Sequence, residues 1–159
     1  MENRPENAEY LSEEGFSRLK EELAHLKEKR RKEIAERLEY AKSLGDLSEN
    51  AEYQEAKEEQ QVLEARIADL EDILGRAVLI SHQAPASFVD IGSVVIARKE
   101  GSLKEDCYFI VGREEADPDQ NRISNESPLG RALLGKKKGE AAVVHTPKGE
   151  FRYQILEIK

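Results

Sequence analysis

Gly45-Asp46-Leu47-Ser48-Glu49-Asn50-Ala51-Glu52-Tyr53 lies at a break between two long helical patterns. Before it, Phe16, Leu19, Leu23 and Leu26 recur at three- and four-residue steps, an apolar seam of heptad type. The seam follows Ser12-Glu13-Glu14-Gly15, where acids occupy the first turn as a helix dipole favours. It then jumps to Ile34, Leu38 and Ala41, with Arg30 at the intervening position; such a stutter locally unwinds a supercoil. After the break, Tyr53, Ala56, Gln60, Leu63, Ile67, Leu70 and Leu74 keep the alternation without a miss. This predicts a helix from about Asn50 to Arg76, roughly 40 Å long. Only Ser43 to Glu49, with Gly45 inside, is available to turn the chain, so the two helices must pack antiparallel. The expectation is an antiparallel coiled-coil hairpin with its tip at about residues 43–50.

Composition agrees with a long exposed helical element. Charged residues make up 36% of the 159, mean hydropathy is -0.70, aromatics reach only 6% and Trp is absent. The first 80 residues carry 21 acids against 13 bases and the remainder 12 of each, so the net charge of -8 belongs to the first half. That asymmetry argues for two domains. An acidic chain lacks the clustered Lys and Arg that phosphate contact needs, so autonomous sequence-specific DNA binding is not expected. The single cysteine, Cys107, rules out an internal disulfide and sits in a strand-like run where packing explains it. No apolar stretch is long enough for a signal peptide or a membrane span, so a soluble cytoplasmic protein is expected.

Around His82-Gln83-Ala84-Pro85-Ala86-Ser87 the helical period ends in a Pro-containing linker. Beyond it, Val94–Ala97, Cys107–Val111, Ala142–His145 and Phe151–Leu156 read as short strands between Gly, Pro and Asp signals. Pro147-Lys148-Gly149-Glu150 reads as a hairpin turn. Ser127-Pro128 opens a short helix that Gly135 closes. The fold class is therefore α+β in two domains: residues 1–81 form the coiled-coil hairpin, and residues 82–159 a small antiparallel sheet with one short helix.

Asp46 and Glu49 support two readings. As Asp-x-x-Glu ahead of a helix they have the form of a capping box, with Asp46 on the terminus and Glu49 reaching back to a free N–H; Ser48 or Asn50 would serve equally as the cap. Alternatively both point outward. Cβ atoms at i and i+3 lie about 5–6 Å apart, within reach of one hard cation. Magnesium is commonly held by one or two carboxylates, with water and substrate phosphate completing its shell. Two carboxylates alone are a weak site that becomes useful when a partner supplies the rest.

The stretch Gly45–Tyr53, followed by Ala56-Lys57-Glu58-Glu59-Gln60-Gln61, resembles the signature of the Gre transcript-cleavage factors, GreA type. The resemblance continues through Glu115-Ala116-Asp117-Pro118 and Ile123-Ser124 to Ser127-Pro128-Leu129-Gly130-Arg131-Ala132-Leu133-Leu134-Gly135 and spans about residues 10–159 in the right order. It implies a coiled coil that enters the secondary channel of bacterial RNA polymerase and a C-terminal domain, similar in fold to FKBP, that docks at the channel rim. It further implies that the tip acids help hold a second Mg²⁺ beside the polymerase's own. That metal would activate the water that cuts the RNA, and a backtracked transcript would release its 3′ fragment. On the family's pattern, Asp46 and Glu49 are the metal-holding pair, and Lys42 and Lys57 fall where a basic patch meets the 3′ end of nascent RNA. Such a factor is not itself an enzyme, has no cofactor of its own, and activates the nuclease of the polymerase.

Other readings of the same residues remain beside these. Tyr53 starts a seam and is explained by packing across the hairpin, with Ser48 and Asn50 as caps or tip support. Lys27-Glu28-Lys29-Arg30-Arg31-Lys32 reads as a solvated face with i,i+4 salt bridges, and Lys136-Lys137-Lys138 as cations near a helix C-terminus. His25, His82 and His145 show no ligand spacing, and no P-loop, Rossmann or nucleophile motif occurs. Three rivals to the stimulating factor stay open: a Gre-like inhibitor that fills the channel, a plain coiled-coil scaffold and an isolated metal-dependent nuclease.

Overall fold

The computed structural model describes residues 7–45, 50–80 and 87–159. These form two compact units: Phe16–Arg76, and the described residues before Phe16 together with those from Ala77 to Lys159. The boundary expected between residues 81 and 82, and most of the linker around it, lie outside the described residues.

The helical unit is a hairpin. Its outgoing limb consists of α1 (Glu13–His25), a π-turn (Leu26–Arg30) and α2 (Arg31–Ser43), and its return limb is α3 (Ala51–Gly75). Ion pairs Arg31–Glu64 and Arg37–Glu59 run across it in antiparallel order. Ile34, Leu63 and Ile67 are buried together, with Leu23, Leu26 and Leu38 packed against them. Ala56 and Leu70 complete the return seam, but its last buried position is Ile73; Leu74 is only half-buried. The expected stutter takes the form of the π-turn. Leu26 to Ile34 spans eight residues where a heptad allows seven, and an i→i+5 turn houses the extra one.

The second unit carries a five-stranded sheet of β3 (Val94–Lys99), β4 (Glu105–Val111), β5 (Arg122–Ser124), β6 (Ala141–Thr146) and β7 (Gly149–Ile158), in the order β5-β4-β3-β7-β6. All pairings are antiparallel except that of the edge strand β5 with β4, so the expected antiparallel sheet carries one parallel strand at its edge. Two 3₁₀ turns, Arg113–Glu115 and Pro118–Gln120, reverse the chain between β4 and β5, and so bring β5 in alongside. Alternate residues Val95 and Ala97, Tyr108 and Ile110, Ala142 and Val144 bury one sheet face. Most of these pack in one core with Val89, Ile155 and Leu133 of the short helix α4 (Pro128–Leu133). Burial pushes the Tyr108 hydroxyl up to about 12, with the Asp106 charge and Tyr153 adding to it. Ser127 caps α4 by accepting the Gly130 N–H at 3.0 Å, and Gly135 follows with φ 76°.

A two-stranded parallel ribbon was not foreseen. In it, β1 (Glu9–Leu11) pairs with β2 (Ala77–Leu79), and Leu11 is fully buried. Gly112 makes room for it, since a Cβ there would lie 1.7 Å from the Tyr10 carbonyl oxygen. Among the described residues, no helix is long and apolar enough to cross a membrane.

Truncating Ile155 to Ala should cost about 2–5 kcal/mol of stability, read as a lowered urea midpoint with unchanged slope. Gly112→Ala should raise amide exchange in residues 9–11 and 77–79 while exchange in β3 and β7 stays protected.

Candidate functional site

At the hairpin tip, α2 ends with the Ser43 hydroxyl donating to the Tyr40 carbonyl at 2.6 Å and the Leu44 N–H donating to the Ala41 carbonyl at 3.3 Å. Gly45 follows at φ 114°, a conformation that glycine adopts without strain. Asn50 then takes extended backbone as the N-cap of α3. Its Oδ1 accepts the Tyr53 N–H at 3.1 Å, and its Nδ2 donates to the Ala41 carbonyl at 2.8 Å. One amide thus serves an orphan donor of α3 and a terminal carbonyl of α2. Asp46, Leu47, Ser48 and Glu49 lie outside the described residues. Asn50, one of the caps the sequence offered, holds the N-cap of α3, and the capping-box reading of Asp46 and Glu49 falls on residues outside those described.

Ala41 and Ala56 are fully buried beside the tip, and Tyr53 is half-buried. Lys42 and Lys57 each follow one of these alanines. In an antiparallel pair, equal steps from facing positions fall on the same flank, so both lysines belong to one side of the hairpin. Lys42 is exposed, Lys57 is half-buried, and neither forms an ion pair among the described residues.

Elsewhere the hairpin's cations are mostly paired. Lys27 meets Glu71, Arg37 meets Glu59 at 2.5 Å and Glu55 at 3.6 Å, and Arg66 meets Glu22 at 2.9 Å. Arg31 forks onto Glu64 at 2.8 and 2.6 Å. Along the outgoing limb, Arg30 pairs with Glu33 and Lys32 with Glu36. The basic run is therefore a salt-bridged face, with Lys27 and Arg31 bridging across to α3 rather than along their own helix. The hydrogen bond from Arg31 holds the Glu64 carboxyl below its ordinary range and raises the guanidinium in turn, and the hydrogen bond to Glu22 raises the Arg66 guanidinium.

In the second unit, buried Glu115 gathers the start of α1. Its carboxylate accepts the Ser12 N–H and hydroxyl, each at 2.6 Å, and Arg122 at 3.0 Å. The Ser12 oxygen in turn accepts the Gly15 N–H at 2.9 Å. Arg122 also lines a groove of about 570 Å³ with Ile123, Pro128, Leu129, Val144 and Phe151, an apolar cleft between α4 and the β6–β7 end of the sheet. No group of three or more His, Cys, Asp or Glu is placed to hold a metal among the described residues.

Residues 9–79 match the family model "Transcription elongation factor, N-terminal", and residues 83–159 match "Transcription elongation factor, GreA/GreB, C-term". The chain belongs to the GreA/GreB family. It is 48% identical over 155 residues to "Transcription elongation factor GreA" of Chloroflexus aggregans, covering 97% of this chain and 99% of that one. A protein of the same name from Clostridioides difficile is 48% identical over 156 residues, covering 97% and 98%. Among solved structures, GreA factor homolog 1 (Gfh1) of Thermus thermophilus is 31% identical with a TM-score of 0.45, covering 96% and 99% of the two chains.

Within this GreA/GreB chain, the C-terminal motif is largely architectural. Asp117 accepts the Asp119 N–H, Ser127 caps α4, and a Cβ on Gly130 would lie 2.0 Å from the Ser124 carbonyl oxygen. Of the sequence-predicted site residues, Lys42, Lys57, Asn50 and Tyr53 are brought to one end of the hairpin. Sequence reasoning missed the double role of Asn50 and the clamp of Glu115 on Ser12. A residue able both to donate and to accept at a helix–helix turn was a signal for the first; nothing local marks Glu115 as buried.

Asn50→Ala should cost about 1–2 kcal/mol in thermal unfolding. Asn50→Asp, which keeps the cap oxygen but turns a donor toward Ala41 into an acceptor, should also fall below wild type. Glu64 should titrate by NMR below an ordinary glutamate, and Arg31→Ala should return it upward. Because the folded-state pKa is depressed, the pair's contribution is present above the unfolded pKa and is lost as pH falls through the folded one.

Proposed function

We propose that this chain stimulates the intrinsic, Mg²⁺-dependent cleavage of backtracked transcripts by bacterial RNA polymerase, with its hairpin in the secondary channel and Asp46 and Glu49 at the reacting end. The observation that carries this reading is the construction of the tip. Asn50 supplies the cap of α3 and clips α2, and in sequence both acids lie among the four residues that join those two helix ends.

Two carboxylates fit Mg²⁺ in donor type, since hard oxygen ligands suit it and it keeps room for water and phosphate. When bound between them and the polymerase, the ion would generate a nucleophilic water and offset charge on the phosphodiester. Asp46 and Glu49 contribute two fixed negative charges and no proton transfer. Lys42 and Lys57, on one flank and without ion pairs among the described residues, suit the phosphates of an extruded RNA 3′ end. Ser48 and Tyr53 support the tip. The apolar groove beside α4 is the part of the second unit suited to docking at the channel rim. The chain acts as an accessory factor in the cytoplasm, with no catalytic centre of its own.

The test is a stalled, backtracked bacterial elongation complex carrying 3′-labelled RNA, to which the protein is added with Mg²⁺. Wild type should release short labelled RNA. Asp46→Ala with Glu49→Ala should bind the polymerase equally and lose at least about a hundredfold in cleavage rate. Binding by wild type that blocks transcription without cleavage would make it an inhibitor, and cleavage of naked RNA would make it a nuclease.

A further inference from the structure

Three large apolar side chains of the hairpin stand in solvent among the described residues: Tyr40 at 60% exposure, Leu44 at 56% and Val62 at 71%. Val62 stands alone, as single surface apolar residues commonly do. Tyr40 and Leu44 are four residues apart where α2 ends, and Leu44 still takes helical backbone as its C-cap. They are therefore neighbours on one surface, with Cβ atoms about 5–6 Å apart. Neither adds to the buried seam, so the packing of α2 on α3 does not account for an aromatic and an aliphatic residue there.

Helical geometry fixes the side they occupy. Counted at about 100° per residue from buried Ala41, the side chains of Arg37, Tyr40 and Leu44 fall on one flank and Lys42 on the other. Arg37 pairs with Glu55 and Glu59 of α3, which places those acids on the Tyr40 flank. Counted in the same way from buried Ala56, Glu52 joins them and Lys57 falls opposite. This end of the hairpin thus has two unlike flanks. One carries Lys42, Lys57 and half-buried Tyr53. The other carries Tyr40, Leu44 and the acids Glu52, Glu55 and Glu59; beside them Arg37 is the one cation among the described residues, and two of the acids already hold it.

We propose that the Tyr40–Leu44 flank is a docking surface for polymerase protein, made for an apolar patch bordered by Lys or Arg, and that the lysine flank is left for the transcript. The acids around Tyr40 repel phosphate and attract cationic side chains, so a basic protein surface fits this flank and RNA does not. A tyrosine offers a rigid apolar ring with a polar tip, the kind of side chain that anchors an interface. Unlike flanks also set the rotation of the hairpin about its own axis. Half a turn the wrong way would bring acids to the RNA and lysines to a basic wall, and both contacts would be repulsive. The proposal rests on the reading above and names which side of the hairpin meets which partner.

Three measurements on the backtracked elongation complex test it. With p-benzoylphenylalanine in place of Tyr40, irradiation should join the chain to a polymerase polypeptide; joining to the labelled RNA or to a second copy of this chain would overturn the proposal. Tyr40→Gln with Leu44→Gln keeps good helix formers at exposed positions, so Tm should match wild type. That variant should raise the Kd for the complex at least about tenfold and leave the cleavage rate at saturation within about twofold. An unchanged Kd, or a loss confined to the saturated rate, would overturn it. Glu55→Gln, which leaves Arg37 its pair with Glu59, should also weaken binding and flatten its salt dependence; unchanged or tighter binding would overturn the basic character of the partner. Crosslinking and Kd need no cleavage. Wild type that binds without stimulating cleavage would therefore fail the reading above alone, unchanged binding by the variants would fail this proposal alone, and wild type that does not bind polymerase would overturn both.

Discussion

Seven residues separate the end of α2 at Ser43 from the start of α3 at Ala51, and the arm depends on that short link. It forces the helices antiparallel. It also brings the unsatisfied carbonyls of one helix end within reach of the unsatisfied N–H groups of the next. A side chain serving both must donate and accept at once, which a carboxylate at neutral pH cannot do and a hydroxyl can do only over a shorter reach. Asn50 meets that demand.

Away from the tip, the hairpin divides its interactions by kind. A narrow seam of Leu19, Ile34, Leu63, Ile67 and Leu70 supplies the apolar burial, and cross-limb pairs such as Arg31–Glu64 and Arg37–Glu59 select the register. Exposed pairs add little stability, but opposing like charges at any other register would disfavour it. Lys42 and Lys57 stand outside this scheme near the tip, on one flank, with no ion pair among the described residues.

The second unit is held together by other means. Glu115 is buried with its oxygens on Ser12 and Arg122, and Gly15 and Gly112 carry no Cβ because a carboxylate and a backbone carbonyl occupy that space. A motif that marks the family in sequence therefore has a structural meaning: Glu115, Asp117, Ser127 and Gly130 shape the loops around β5 and α4. The apolar groove opens beside those same loops.

Both helices, their antiparallel order, four of the sheet strands and the short capped helix were legible in the sequence. Each rests on a local period or on a residue with one dominant backbone preference: heptad steps, two-residue alternation, Ser127 before Pro128, Gly135 after Leu134. The acidic pair is marked by its motif alone, and it lies outside the described residues. Other features stayed hidden because they are settled by partners distant in the chain. The pairing of β1 with β2, the parallel approach of β5 and the burial of Glu115 against Ser12 all join residues whose local patterns say nothing of one another. The sequence by itself determined both helical limbs, four of the strands and the extra residue that interrupts one limb, since periodicity is a property of the chain alone. Only the tertiary structure decided that the extra residue becomes a π-turn and that Asn50 spans both helices, because each outcome depends on the fit of one limb against the other.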